Sequence, residues 1–198
     1  MKKILFLITL FVTLPFIASC NKKNTEGNED IDMTQLKYYD YLNDNNPTII
    51  IKVKGFGTME LQLFENIAPI TVANIKNYIT NNSYNNSNFH RIIEDFMIQG
   101  GIVKNTENPI TGEFNSNGIQ NDLKHYRGVI SMARTSIKNS ATSQFFIVHK
   151  DSPWLDGEYA AFGGLVSGFD VLDKIASVKT DMMDAPSKNV VIESIELK

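Results

Sequence analysis

Apolar and polar residues alternate along the chain just after residue 47, and this alternation predicts a β-hairpin. Residues 48–53 read TIIIKV and are mostly β-branched, which is typical of a strand. Residues 58–64 read TMELQLF and alternate, as a strand with one buried face does. The intervening KGFG supplies glycines for a turn. We therefore expect two neighbouring antiparallel strands at the start of a folded domain that covers residues 47–198.

Two later segments have helical spacing instead. Residues 69–81 read PITVANIKNYITN, with apolar side chains every three to four positions and a proline where a helix can begin. Residues 168–179 read GFDVLDKIASVK and repeat apolar residues in the same way. The pattern predicts one helix in each segment.

Six more segments are short and rich in apolar or β-branched residues, so they are interpreted as strands. Many short strands with only two helices favour a mainly β fold, an antiparallel barrel capped by helices. The six segments are residues 89–93, 96–99, 128–133, 144–149, 159–166 and 189–197.

The first 19 residues have the composition of a signal peptide. Two lysines precede an apolar run over residues 4–17, which is shorter than the roughly 18 residues of a spanning helix. Residues 17–20 read IASC and resemble the lipobox of bacterial lipoproteins, in which the cysteine carries the lipid. We therefore expect Cys20 to be lipidated, for example with palmitate, and the protein to be membrane-anchored outside the cytoplasm. The alternative is an ordinary secretory signal with an incidental cysteine.

A polar segment separates this leader from the domain. Residues 20–46 are rich in Asn, Lys, Glu and Asp, and the pattern predicts a flexible tether. Within it, residues 33–42 (MTQLKYYDYL) hold enough apolar side chains for a short helix. Disorder of the whole segment is the alternative.

The overall composition excludes several classes of protein. The chain has 198 residues and 42% hydrophobic content, enough for one sizeable core. A net charge of −3 argues against a nucleic-acid partner, because such domains usually carry a basic patch. Cys20 is the only cysteine, so no intramolecular disulfide is possible. The three histidines are far apart, without cysteines or carboxylates at ligand spacing, which argues against a metal site.

The most informative stretch is FHRIIEDFMIQGG, residues 89–101. Side chains alternate faces along a strand, so Arg91, Met97 and Gln99 share a face unless the turn at residues 94–95 shifts the register. The stretch combines a guanidinium, an amide and apolar side chains. It offers no nucleophile and no acid/base pair, so it suits a reaction without a covalent intermediate.

This stretch and three others resemble the cyclophilin family of peptidyl-prolyl cis-trans isomerases. The other three are GVISMAR (128–134), SQFFI (143–147) and WLDGEYAAFG (154–163). Their order and spacing extend the resemblance over residues 48–197. It implies an eight-stranded antiparallel barrel with a helix at each end, and an activity on X-Pro peptide bonds of secreted or envelope proteins.

The resemblance also implies a set of site residues. Arg91 matches the catalytic arginine of the family, and Tyr159 lies where many members have histidine. Ala133 and Arg134 match the positions whose backbone pairs with a bound peptide. Four apolar residues match the proline pocket, and three more residues match other site positions. The first group is Phe96, Met97, Phe146 and Leu155, and the second is Gln99, Gln144 and Trp154.

These residue types suit rotation about a peptide bond. Arginine is always charged and is a poor base, so its expected role is electrostatic. The reaction needs no cofactor or metal, its partners are proline-containing polypeptides, and we expect a monomer. Without the motif, the apolar residues would more often be core, and Phe145 is interpreted as core. Two alternatives remain: a non-catalytic peptide-binding or chaperone module with the same groove, and a structural or solute-binding surface lipoprotein.

Overall fold

The computed structural model describes residues 32–198, which form nine strands and two α-helices. The predicted signal peptide, Cys20 and the first part of the tether lie outside the described residues. The strands are β1 (Thr48–Val53), β2 (Gly57–Leu63), β3 (Ser87–Phe89), β4 (Arg91–Ile93), β5 (Met97–Gly100), β6 (Val129–Met132), β7 (Phe145–Val148), β8 (Ala161–Ser167) and β9 (Val190–Leu197). The helices are α1 (Pro69–Thr80) and α2 (Phe169–Ala176).

All nine strands belong to one antiparallel sheet that curves into a nearly closed barrel. Their order is β3-β9-β1-β2-β8-β6-β7-β5-β4. The two end strands β3 and β4 are consecutive in the chain and are joined through His90, whose N–H donates to the carbonyl of Gln99 at 3.0 Å. The predicted barrel is confirmed, with nine strands rather than eight. The extra strand arises because residues 89–93 divide at His90, one part pairing with β9 and the other with β5.

The interior follows from the alternation of the strands. In β1 the inward residues Ile49 and Ile51 are 1% and 0% exposed, and they pair with Leu61 and Met59 of β2. Outward neighbours such as Lys52 are exposed. Because one face of each strand is apolar, the register that buries this face is strongly favoured.

The two helices pack against the barrel, and α1 starts at a carboxylate. Glu113 is only 2% exposed and accepts hydrogen bonds from the N–H groups of Ile70 and Thr71 and from the Thr71 hydroxyl, at 2.7–3.0 Å. A carboxylate stabilises the free N–H groups at a helix start. Within residues 32–198, no helix has the length and apolarity to cross a membrane.

The structure of residues 32–46, which we call the strap, differs from the predicted flexible tether. They form two short 3₁₀ turns at Met33–Gln35 and Tyr39–Tyr41 in place of the expected helix. Tyr38 between them is 1% exposed, and its hydroxyl donates to the carbonyl of Leu165 at 2.7 Å. A side chain at Gly164 would overlap the Tyr38 ring, so the glycine leaves room for it. The packed structure therefore begins before residue 47.

Candidate functional site

A groove of about 140 Å³ lies where the β4–β5 hairpin meets β6, β7 and the turn at Pro153–Leu155. It brings together most of the residues that the resemblance singles out. They are Arg91, Phe96, Met97, Gln99, Ala133, Arg134, Phe146, Leu155 and Tyr159.

The β4–β5 hairpin sets the polar rim of the groove. Arg91 pairs directly with Gln99, and Ile93 pairs with Met97, so Arg91, Gln99 and Met97 lie on one face. The turn that joins the strands contains Asp95 in a left-handed conformation, with φ of 60°. The predicted shared face is therefore confirmed, because this turn leaves the register in place.

Three aliphatic and aromatic side chains form the apolar floor. Met97, Phe146 and Leu155 are 2%, 5% and 7% exposed. Tyr159 packs edge-on against the ring of Phe146, with ring centres 5.9 Å apart. Phe145, the neighbour of Phe146 on β7, points into the barrel and packs against Phe89, so its interpretation as core is confirmed.

Gln144 and Trp154 lie next to the groove residues. The amide of Gln99 donates to the side-chain oxygen of Gln144 at 3.1 Å, which links the two glutamines. Trp154 remains 62% exposed and packs against Phe96, with ring centres 5.6 Å apart. An aromatic pair of the half-buried Phe96 with the exposed Trp154, and an amide pair of Gln99 with Gln144, therefore border the groove.

The Arg134 side chain is turned back toward the protein. Its guanidinium donates to the carbonyl of Glu158 at 2.9–3.0 Å and lies 4.6 Å from the centre of the Tyr159 ring. The N–H of Ala133 donates to the carbonyl of Gln144 at 3.0 Å. Because this N–H is already hydrogen-bonded within the protein, it is not available to pair with a bound peptide.

A buried histidine supports the floor, and sequence reasoning missed it. The ring of His125 stacks on Phe146 at 6.0 Å, and its nitrogens lie 3.1 Å from Asp156 Oδ1 and 3.0 Å from Ser131 Oγ. Burial lowers the pKa of His125, and the hydrogen bond to Asp156 opposes this shift. Asp156 is 31 residues away along the chain and Phe146 lies on β7, so no local spacing could have revealed these two contacts.

Arg91 carries the charge at the rim and is held by one carboxylate. Its Nε donates to Asp184 Oδ2 at 3.2 Å, and Nη2 lies 3.2 Å from the same oxygen. The two side chains are 42% and 39% exposed. Arg91 also lines the groove together with the floor residues, so its ion pair with Asp184 forms at the rim of the groove.

The arrangement combines an apolar floor with a cation at its edge. No side chain along the described lining is both a nucleophile and paired with a base. The geometry therefore suits binding of an apolar ring and electrostatic action on a neighbouring polar group.

Comparisons with known proteins point to one family. Residues 48–197 match the family model described as cyclophilin type peptidyl-prolyl cis-trans isomerase/CLD. A peptidyl-prolyl cis-trans isomerase of Acinetobacter baylyi is 40% identical over 161 residues, which cover 76% of this chain and 86% of that protein. Peptidyl-prolyl cis-trans isomerase B of Escherichia coli is 41% identical over 157 residues, covering 70% and 93%.

Solved structures agree with the sequence relatives. A cyclophilin type peptidyl-prolyl cis-trans isomerase of Cryptosporidium parvum superposes with a TM-score of 0.71 at 29% identity, covering 77% of this chain and 98% of that one. The same isomerase crystallised in the presence of the dipeptide Ala-Pro gives a TM-score of 0.70. On the fold, the groove and the match over residues 48–197, the chain belongs to the family of cyclophilin-type peptidyl-prolyl cis-trans isomerases.

Proposed function

We propose that the groove binds a proline residue of a polypeptide and that Arg91 accelerates rotation about the preceding peptide bond. The observation that carries this proposal is the placement of a guanidinium on the same face as the apolar floor of Met97 and Phe146. A slot of this kind suits the pyrrolidine ring, while the cation at its rim lies near the amide to be rotated.

The proposed mechanism is differential stabilisation. The planar X-Pro bond has partial double-bond character, with a barrier of about 18–20 kcal/mol. Twisting the bond breaks this resonance and gives the proline nitrogen a free lone pair. A donor directed at that nitrogen or at the neighbouring carbonyl binds the twisted state more strongly than the planar one. Such a difference accelerates the reaction, whereas equal binding of both states does not.

The required energy is within reach of the groove. An acceleration of about 10⁴ to 10⁵ requires about 5.5–7 kcal/mol off the barrier. Charge-assisted hydrogen bonds that are already aligned with the transition state are worth a large part of that amount. Arg91 therefore acts as an electrostatic catalyst, and the protein needs no group that exchanges protons.

The other groove residues position the polypeptide. Phe96, Met97, Phe146 and Leu155 hold the proline ring, and Tyr159 completes this slot by packing on Phe146. The remaining residues contact the chain beside the proline. They are Gln99, Gln144, Trp154 and the backbone of Ala133 and Arg134.

We further propose that the protein works as a lipid-anchored monomer outside the cytoplasm and assists folding of secreted or envelope proteins. The leader ending in IASC supports lipidation at Cys20. Metabolic labelling with a radioactive fatty acid tests the anchor: the wild-type protein should incorporate label, and Cys20→Ser should not. Equal label in both would refute it.

The central test is turnover of a proline tetrapeptide by the Arg91→Ala variant. We expect kcat/KM to fall at least about tenfold, which corresponds to roughly 1.4 kcal/mol lost from transition-state binding. The rate is measured by a protease-coupled assay or by NMR exchange spectroscopy. Arg127→Ala is the matched control, because Arg127 lies outside the groove and pairs with Asp173.

Two outcomes would contradict the proposal. Unchanged turnover in Arg91→Ala would remove the assigned role of the guanidinium. Peptide binding by the wild type without any acceleration of exchange would instead identify a peptide-binding or chaperone module.

A further inference from the structure

The short loop that carries Asp184 is built around one aspartate. Asp181 Oδ1 accepts from the N–H groups of Met183 and Ala185 at 2.8 and 3.0 Å. Its own N–H donates to the carbonyl of Ala185 at 2.9 Å, and its carbonyl accepts from the N–H of Asp184 at 3.2 Å. These contacts close the loop on itself, so Asp184 occupies a defined place although Met182 and Met183 are almost fully exposed.

The same loop is attached to the strand that carries Arg91. The carbonyl of Asp184 accepts from the N–H of Ile92 at 2.9 Å, and Ile92 follows Arg91 on β4. Asp184 has φ of 64°, a left-handed conformation that aspartate adopts more readily than most residues. The backbone bond therefore fixes where the carboxylate can reach, and it reaches the guanidinium.

The contact with Asp184 uses one edge of the Arg91 guanidinium and does not use its other N–H donors. Both Nε and Nη2 of Arg91 lie 3.2 Å from a single oxygen, Asp184 Oδ2. The guanidinium is planar and carries further N–H donors on Nη1 and Nη2. Fixing the Nε edge therefore sets the plane and direction of these remaining donors without using them.

We propose that Asp184 is a positioning residue that orients the Arg91 guanidinium toward the peptide in the groove. This inference rests on the role proposed above for Arg91. A long side chain on a strand edge has several rotamers of similar energy, and only some direct donors into the groove. A donor contributes to catalysis in proportion to how well it is already aligned.

The Asp184 carboxylate also has an effect that opposes catalysis by Arg91. A negative charge beside Arg91 reduces the positive potential in the groove. Both side chains are about two-fifths exposed, so water screens this charge. The guanidinium, by contrast, acts through direct hydrogen bonds at short range. Orientation therefore outweighs neutralisation, and loss of Asp184 slows the reaction.

The test uses two substitutions that keep the backbone conformation. Asp184→Gly removes the side chain, and glycine accepts a positive φ without strain. Asp184→Asn removes the charge but keeps an oxygen that can accept from Nε. We expect Asp184→Gly to lower kcat/KM about threefold to tenfold, mainly through kcat, and Asp184→Asn to recover most of that loss.

Asn86→Gly is the matched control for added backbone freedom. Asn86 also has a positive φ, of 59°, and lies exposed in another loop. Its replacement should leave kcat/KM unchanged. Equal kcat/KM in Asp184→Gly and the wild type would overturn the proposal. A higher kcat/KM in both Asp184 variants would also overturn it, because it would indicate that neutralisation outweighs orientation.

A double-mutant cycle separates this proposal from the role of Arg91 itself. If Asp184 acts through Arg91, adding Asp184→Gly to Arg91→Ala has no further effect on kcat/KM. An additional loss in the double variant would indicate a general loop defect and refute the proposal. Wild-type activity of Arg91→Ala would instead refute the proposed function.

The Arg91 Nε–H signal in ¹H–¹⁵N NMR spectra gives a readout that does not depend on activity. With Asp184 present we expect a resolved signal in slow exchange with water. In Asp184→Gly it should shift and broaden, and in Asp184→Asn it should be partly retained. An unchanged signal in Asp184→Gly would show that the carboxylate does not hold the guanidinium.

Discussion

Two walls of the barrel bury their residues in different ways. In β1, β2 and β9, inward side chains are buried and most outward ones face water. All residues of β6 and β7, and most of β8, are buried on both faces. The outer face of this second wall is covered by the strap, by the segment with Leu123 and His125, and by the groove residues.

The difference shows where this fold carries function. On the first wall, an outward side chain needs only to tolerate contact with water. On the second wall, outward positions such as Phe146 belong to a second apolar cluster, separate from the barrel interior. That cluster is partly open to solvent at the groove, where Phe96 and Tyr159 are only half-buried. The proposed peptide site is therefore the uncovered part of a surface that the protein otherwise covers with its own chain.

Paired alanine substitutions on neighbouring residues test this comparison most strongly. On the first wall, Ile51→Ala should cost about 2–5 kcal/mol of unfolding free energy, and Lys52→Ala, which breaks an exposed pair with Glu196, less than about 1 kcal/mol. On the second wall, both Ile147→Ala and Phe146→Ala should cost about 2–5 kcal/mol. Urea denaturation measures all four, and a negligible effect of Phe146→Ala would break the comparison.

A smaller effect is expected where the strap covers the second wall. Tyr38→Phe keeps the ring but removes the hydrogen bond to the buried carbonyl of Leu165, so it should cost about 1 kcal/mol. Burial also raises the pKa of Tyr38 above its usual range. The control is Tyr39→Phe, whose side chain is 46% exposed and should lose almost nothing. Equal stabilities of the two variants in urea denaturation would mean that the hydrogen bond from Tyr38 to Leu165 does not stabilise the strap.

The smallest effect is a pH dependence at the base of the groove. Burial lowers the pKa of His125 from about 6.5, so below that pH the unfolded chain binds more protons than the folded one. Stability should therefore fall as the pH is lowered from neutral through the unfolded pKa toward the folded one. Burial also lowers the pKa of His90, so part of this slope belongs to that residue.

The variant His125→Gln isolates the contribution of the second wall. Urea denaturation between pH 7 and pH 5 should show a weaker loss of stability in the variant than in the wild type, because the buried His125 no longer titrates and only the half-buried His90 contributes. An identical slope in both proteins would mean that His125 is protonated as easily in the folded chain as in the unfolded one.

The secondary structure of this chain was largely predictable because its signals are local. The first strand was expected at 48–53 and is found at Thr48–Val53, and the first helix, expected at 69–81, ends one residue earlier. Both signals arise from apolar periodicity within a few residues. The break of the 89–93 strand at His90 was not predictable in this way, because it depends on β9, a distant strand that pairs with β3, while β4 pairs with the neighbouring β5.

The candidate site was predictable where its residues lie in short motifs. The face shared by Arg91 and Gln99 follows from strand alternation and one turn. The contacts that hold these residues were missed: His125 beneath Phe146, and Asp184 beside Arg91. The partner of Arg91 is 93 residues away along the chain, and an isolated aspartate in a polar loop has no local signal.

The strap gives the clearest contrast between sequence and tertiary structure. Its polar composition predicted a tether, yet one tyrosine packs against a glycine on β8 and its hydroxyl reaches a backbone carbonyl 127 residues away. The strands, the helices and the residue types of the groove follow from periodicity and motifs, which act over short distances along the chain. Packing between distant segments sets which outer surface is covered, which part remains open, and which carboxylate holds the arginine.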